Sequence, residues 1–351
     1  MADSLHRVVV VGLGNVSTMW LPTLVGREDV EIVGVADIDE LRAHAVTKSY
    51  GLSCGIYPDV KTAVTMSEPS LVVDLTPPDQ RRAVVGKALE LGCNVFGEKP
   101  MAASLEEAIE LVALATVTGK TYSVMQQRRY VIGSRTLRDG VHAGRIGLPE
   151  FICVDYFMAP HFRGFRGVMK SPLLLDMAIH TFDQARFIAG VEPCAVYCHE
   201  FNPPSSRYEG AAAAVCTFEC VDGSVISYRG SWAAEGCATT WESDWRVVGS
   251  DGTAIWDGSG LPYSEAPVHI ADEGALFSPV QRSDWSATYA GPEGHAGCID
   301  ALLSAAARGV RAETDCADNL ASLAMVFGAL ESARRGQRVL ISDVVRAASR
   351  Q

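Results

Sequence analysis

The sequence predicts an α/β chain of two domains. The first, residues 1–125, is a doubly wound parallel sheet. The second, residues 126–351, is an α+β domain with a large, mostly antiparallel, open-faced sheet. Three observations predict this. Up to residue 125, short and wholly apolar segments alternate with helical ones. A G-x-G turn follows the first apolar segment. After Gln127 the pattern changes to longer segments of alternating polarity. With 351 residues, the chain is long enough to build two cores.

Along the first half, "RVVVVG" reads as a strand, "LGNVSTMWLPTLVG" as a helix and "VEIVGVAD" as a strand. "ELRAHAVTKSYG" is a helix closed at Gly51, the residue type favoured just past a helix end. "SLVVDLTPP" is a strand cut off by two prolines. "QRRAVVGKALELG" is a helix, and "NVFGEKP" a strand. "SLEEAIELVALATVTG" opens with a capping box, Ser104 with Glu107 three residues on, and "TYSVMQQ" is the last strand. Strands that are apolar throughout are buried on both faces, as parallel strands between helices are.

In the second half, a basic helical piece, "RRYVIGSRTLRDGVHAG", leads into strands read as "EFICVDYFMA", "CAVYCHEF", "GAAAAVCTFECVDGSVISYRGSWAA" and "WRVVGSDGTAIWDG". One helix, 172–189, interrupts them. Residues 257–293 are rich in Gly, Pro and Ser with little periodicity, so a long ordered loop or arm is expected. Helices near 295–308 and 317–335 close the chain. Alternating strands with few helices describe an α+β domain with an antiparallel sheet.

A net charge of −12 with no concentrated basic run argues against nucleic acid as a partner. No apolar run reaches the ~18 to 20 residues a membrane span needs. The first apolar run leads into a glycine turn rather than a cleavage site, so a cytoplasmic protein is expected. Ten cysteines in a chain this long are expected as free thiols. Cys194/Cys198 and Cys216/Cys220 lie in strand-like sequence, where residues four apart are separated by about 13 Å. One zinc ion cannot take both members of such a pair, and no metal is expected.

"VVVVGLGNVS" sets Gly12 and Gly14 after a strand and before a helix, with Ser17 at the third position of the fingerprint. Asp37 ends the next strand, where the acid of a dinucleotide fold holds the adenosine ribose, while the pyrophosphate rests on the helix N-terminus. A carboxylate there repels a 2′-phosphate, so NAD is favoured over NADP. Arg42, five residues on, could offset that repulsion, and NADP stays as the less favoured alternative.

In "SPLLLDMAIHTFDQARFIAG", Ser171 is read as the N-cap and Pro172 as the first helical residue. At about 100° per residue, Leu175, Ile179, Phe182 and Ala189 form one apolar stripe. Asp176, His180 and Asp183 form another, which is either a solvated face or a chemical one. Oxidising an alcohol requires a base for the hydroxyl proton as hydride leaves the carbon, and histidine titrates in the right range.

Together, G-L-G-N at 12–15, "TPPD" at 76–79, "EKP" at 98–100, "QQRRY" at 126–130 and D-x-x-x-H at 176–180 resemble the Gfo/Idh/MocA oxidoreductases, named for glucose–fructose oxidoreductase and inositol dehydrogenase. The likeness extends through "GTAIWDG" and "ALESARRGQRV" and so covers nearly the whole chain. It implies a Rossmann first domain and an NAD-dependent dehydrogenase acting on a secondary hydroxyl of a sugar, inositol or related polyol. His180 would be the general base, Lys99 would hydrogen-bond the reacting hydroxyl, and Asp176 would hold the substrate. Arg128 matches a substrate-side position, with a structural ion pair as its alternative role. Cofactor contacts are implied at Gly12, Gly14, Asn15, Val16, Asp37, Ile38, Thr76, Pro77, Glu98, Lys99 and Gln127. Pro100 would set Lys99 toward the nicotinamide through a cis bond.

The sequence departs from the family at three places: Arg81 and Trp20 stand where many relatives carry histidine, and Ser17 replaces the third glycine. Two rival functions remain, an NAD-dependent enzyme that cleaves glycosides and a non-catalytic nucleotide-binding regulator. Trp232, Trp241, Trp245 and Trp256 crowd into 25 residues and are read as filling one face of the sheet or a subunit interface, with stacking of one of them on the C–H face of a carbohydrate ring in the substrate pocket as the alternative. An open sheet with an apolar side must be covered, so a homodimer or homotetramer is expected.

Overall fold

Val8, Val9, Val10 and Val11 run through strand β1 (His6–Val11) with at most 5 % of their surface exposed. The computed structural model describes residues 5–268 and 276–350. In its first unit, β1 is followed by α1 (Ser17–Val25), β2 (Val30–Ala36), α2 (Glu40–Ser49), β3 (Gly55–Tyr57), α3 (Val60–Ser67), β4 (Leu71–Asp74), α4 (Pro78–Glu90), β5 (Asn94–Gly97), α5 (Leu105–Thr118) and β6 (Tyr122–Val124). The strands form one sheet in the order β3-β2-β1-β4-β5-β6, and every neighbouring pair is parallel. The order reverses between β1 and β4, which opens a crevice at the carboxyl ends of those strands. Gly12 follows β1, Thr76 follows β4 and Lys99 follows β5, so all three come to that edge. The capping box forms: Ser104 Oγ accepts from the Glu107 amide at 3.2 Å, and Glu107 accepts from the Ala103 amide at 3.0 Å.

The second unit opens with a short 3-10 turn and α6 (Ile132–His142), then β7 (Pro149–Phe157), α7 (Phe165–Val168), a π-helical segment (Leu173–Ala178) and α8 (Ile179–Ala189). Strands β8 (Pro193–Phe201), β9 (Ala213–Cys220), β10 (Val225–Ser231), β11 (Asp244–Gly249), β12 (Gly252–Trp256), β13 (Tyr263–Pro267) and β14 (Val280–Asp284) follow. Helix α9 (Gly294–Ala307), helix α10 (Cys316–Arg335), strand β15 (Val339–Leu340) and helix α11 (Ile341–Ala348) complete the chain. The nine-stranded sheet runs β14-β13-β12-β11-β7-β10-β9-β8-β15. Its pairs are antiparallel except β10 with β7. One face is apolar and buried. There Phe182 of α8 meets Phe218 and Tyr228 edge to face at 4.8 and 5.2 Å. On the other face Tyr197 and Val215 remain 49 % and 43 % exposed.

The structure adds β3, α3, α7, β15 and α11 to the elements read from the sequence, so the helix over 317–335 does not close the chain, and it departs from that reading in four further places. The expected arm over 257–293 contains β13 and β14, which extend the sheet by two strands; part of it, 269–275, lies outside the described residues. Compact packing joins Pro292–Leu323 to the first unit, whereas the sequence reading gave everything after 125 to the second. The single helix over 172–189 is a π segment followed by an α-helix. Finally, all eleven residues of α8 are buried, so the stripe that bears His180 and Asp183 is not a solvated face. The π turn also changes the angular spacing between Asp176, which lies in it, and His180, which follows it, because its repeat is i→i+5.

Candidate active site

In the first unit, the glycine turn is required by its surroundings. Gly12 has φ +87°, and a Cβ there would lie 2.9 Å from the Leu75 carbonyl carbon. No other residue type fits that turn against the end of β4. At Gly14, a Cβ would meet no protein atom within 4 Å, so the backbone borders open space. That space is a cleft of about 750 Å³ lined by Gly14, Asn15, Arg42, Ser49 and Tyr50, among others. Helix α1 has no side-chain cap, and among the described residues the Asn15 and Val16 amides have no acceptor. Such a helix start suits a phosphate. Asp37 Oδ2 accepts from the Leu13 amide at 2.7 Å and Oδ1 from the Asp39 amide at 2.8 Å, which fixes the carboxylate beside the turn. Ile38 is 97 % exposed next to it. These residues fit a dinucleotide: amides for the pyrophosphate, a carboxylate for ribose hydroxyls and room for the base. Ser17, in place of the third glycine, turns its hydroxyl back to the Gly14 carbonyl at 2.7 Å.

The Lys99 turn is built from below. Glu98 is 6 % exposed, and its carboxylate points inward. Trp20 Nε1 donates to Oε1 at 2.7 Å, His295 Nε2 lies 3.7 Å from the same oxygen, and the Lys99 amide donates to Oε2 at 3.1 Å. Burial pushes this carboxyl up, but the neighbouring His295, the Trp20 hydrogen bond and the Arg81 charge outweigh it and hold the group below its ordinary value. Arg81, 4 % exposed, donates to the carbonyls of Glu98 at 2.7 Å, of Pro100, and of Thr76 at 3.0 Å. Its planar fork thus ties the "TPP" turn to the "EKP" turn. The Lys99–Pro100 bond is cis. Pro77 is the N-cap residue of α4. Thr76 donates to Asp74 at 2.6 Å. Asp74 is fully buried, and desolvation pushes its carboxyl up to about 6 despite Arg81 at 3.7 Å. Gln127 ends this unit with Oε1 buried and, among the described residues, without a hydrogen-bond partner.

In the second unit, Asp176 lies in the π segment and His180 on the first turn of α8, with His180 5 % exposed. Arg166 holds Asp176 through Nε to Oδ2 at 2.6 Å and Nη2 to Oδ1 at 3.3 Å. Asp183 is engaged elsewhere: Arg129 grips it through Nε and Nη2, both at 2.7 Å, in a buried bidentate pair. Arg128, 5 % exposed, lies under the same segment. Its Nη2 is 3.6 Å from the Met177 sulfur and its Nε 3.9 Å from Glu242. Burial holds its pKa below the ordinary value. Glu242 also accepts from Gln184 of α8 at 3.2 Å, so the turn before β11 braces the helix that bears His180. Trp232, Trp245 and Trp256 are buried under the sheet, whereas Trp241 is 44 % exposed.

Residues 6–126 match an oxidoreductase family described by its NAD-binding Rossmann fold, and residues 134–255 match the C-terminal domain of the Gfo/Idh/MocA proteins. The chain belongs to the Gfo/Idh/MocA oxidoreductases. It is therefore an NAD-binding oxidoreductase whose glycine turn and second-unit sheet are those of the family. Among its relatives, inositol 2-dehydrogenase of Rhizobium meliloti is 24 % identical over 96 % of this chain and 99 % of its own. D-glucoside 3-dehydrogenase of Escherichia coli is 26 % identical over 58 % of this chain and 59 % of its own. Among solved structures, an Agrobacterium radiobacter oxidoreductase in complex with NAD+, L-tartaric acid and magnesium superposes with a TM-score of 0.84. That match has 20 % identity and covers 97 % of this chain and 99 % of the other.

Sequence reasoning did not find Arg166, His295 or the roles of Trp20 and Glu242. His295 is 197 positions from the Glu98 it faces, and no local pattern announces it. Arg166 had one signal. The stretch 159–170 carries Arg163, Arg166 and Lys170 with no acid, ahead of the D-x-x-x-H motif.

Proposed function

We propose that the protein is an NAD(H)-dependent dehydrogenase that oxidises a secondary hydroxyl of a sugar, inositol or related polyol. When bound, NAD supplies the acceptor for the hydride. Gly12, Gly14, Asn15, Val16 and Asp37 hold it, with Thr76 and the Lys99 turn at its reactive end. His180 takes the hydroxyl proton, Lys99 hydrogen-bonds the same oxygen, and Asp176 holds a neighbouring hydroxyl. The observation that carries the reading is the Lys99 turn. The backbone turn that carries Lys99 at a strand end is fixed from beneath by Arg81, Glu98 and Trp20, and such a braced turn suits a positioned lysine better than a solvated one. Asp37 binds Arg42 at 3.4 Å, and Asp39 binds it at 3.1 Å, which supports NAD over NADP because the guanidinium is already committed to two carboxylates. The exposed face of the nine-stranded sheet is covered by a second copy of the chain.

The test is kinetic. Lys99→Ala and His180→Ala are each expected to lower turnover by on the order of 10²-fold or more, with NADH affinity, read by fluorescence titration, nearly unchanged. Near-normal turnover in both variants would remove them from the mechanism. Release of free sugar without net NADH would point to the glycoside-cleaving alternative.

A further inference from the structure

A guanidinium has five N–H donors arranged along two edges that each match a planar anion. Asp176 occupies the Nε/Nη2 edge of Arg166. Among the described residues, Nη1 has no protein acceptor, and the side chain is 32 % exposed. The second edge is therefore open. The plane of the group is held by two rings, with Cζ 5.1 Å from the Phe162 centroid and 4.7 Å from that of Phe165. Phe162 is 38 % exposed and lies 6.5 Å from Trp241, itself 44 % exposed. Exposed aromatic faces of this kind suit the C–H side of a sugar ring. The surrounding stretch, 159–170, adds Arg163 and Lys170 and no acid, within a chain of net charge −12.

We infer that the open edge of Arg166 binds a carboxylate of the substrate, which is thus a polyhydroxy acid of the aldonic or uronic class. This rests on the dehydrogenase reading above. One guanidinium then holds two carboxylates, the enzyme's Asp176 and the ligand's. The carbons next to the ligand's carboxyl group are brought beside Asp176, which takes a hydroxyl on one of them. A neutral polyol offers the aromatic contacts but leaves the cationic edge unmatched. Phosphate could use the same two donors. The in-plane pairing already made with Asp176 favours the flat carboxylate.

The experiment follows NADH formation from three matched substrates, a hexuronate or aldonate, the neutral polyol and the sugar phosphate, with wild type, Arg166→Gln and Arg166→Lys. In wild type, kcat/KM for the acid is expected to exceed that for the neutral polyol by on the order of 10²-fold. Arg166→Gln brings that ratio close to one, and Arg166→Lys falls between them. A ratio unchanged in Arg166→Gln, a preference for the phosphate, or turnover of the neutral polyol alone overturns the inference while leaving the dehydrogenase reading intact. If no substrate yields NADH, the dehydrogenase reading falls. The carboxylate site is then decided by thermal shift of the NADH-loaded protein. The acid must raise the Tm of wild type and not of Arg166→Gln, and its failure to do so also overturns the inference.

Discussion

Trp20 and Glu98, 78 residues apart in sequence, form a buried hydrogen bond of 2.7 Å from the indole N–H to the carboxylate. Helix α1 thereby supports the residue immediately before Lys99. Glu98 acts as a foundation for the lysine turn, its carboxylate directed away from the crevice edge. Replacing Trp20 with Phe keeps an aromatic ring but removes the N–H donor from a carboxylate in a dry site and leaves a cavity where the rest of the indole was. The variant is expected to lose about 1–3 kcal/mol of stability in urea unfolding at pH 7. Unchanged stability would show that the bond contributes nothing.

Asp74 makes stability depend on pH. Its folded pKa of about 6 lies above the ordinary 3.8, because burial disfavours the charged form. The folded state therefore binds this proton more tightly than the unfolded chain does. The stabilisation is complete below about pH 4 and is lost as pH rises through about 6. The difference between 3.8 and about 6 corresponds to about 3 kcal/mol. Asp74→Asn stays neutral throughout. Its Tm, relative to wild type, should rise between pH 4 and pH 7. A constant difference across that range would contradict the assignment.

The open face of the large sheet predicts self-association. Tyr197 and Val215 are half-exposed on neighbouring strands β8 and β9, whose register pairs His199 with Val215 and Tyr197 with Thr217. An apolar surface of this kind is seldom left to water. In sedimentation analysis the wild type should be a dimer or larger, and Tyr197→Glu with Val215→Glu should give a folded monomer. A monomeric wild type would remove the second copy from the account.

Much of this was legible in the chain because local physics is written locally. Four β-branched valines in a row, cut off by a glycine turn, read as a strand covered on both sides, and Ser104 with Glu107 marks a helix start by spacing alone. Gly12 was legible for the same reason, since its turn follows a buried strand. Other features depend on distant partners. β13 and β14 lie in Gly/Pro/Ser-rich sequence, and their pairing along the sheet edge is set by neighbouring strands rather than by their own polarity. The π turn before His180 leaves no sign in residue spacing, and it separates Asp176, which lies in it, from His180 and Asp183, which share α8. Asp183 has a buried bidentate partner in Arg129, 54 positions away, which no local pattern announces.

The dehydrogenase reading proposed above requires Lys99 and His180 to serve one hydroxyl oxygen beside the nicotinamide. A crystal structure of the protein with NADH and its bound substrate is the decisive measurement. Lys99 Nζ and a ring nitrogen of His180 are expected within about 2.6–3.2 Å of the same substrate oxygen. If the two side chains contact different molecules or different cavities in that complex, the account is contradicted.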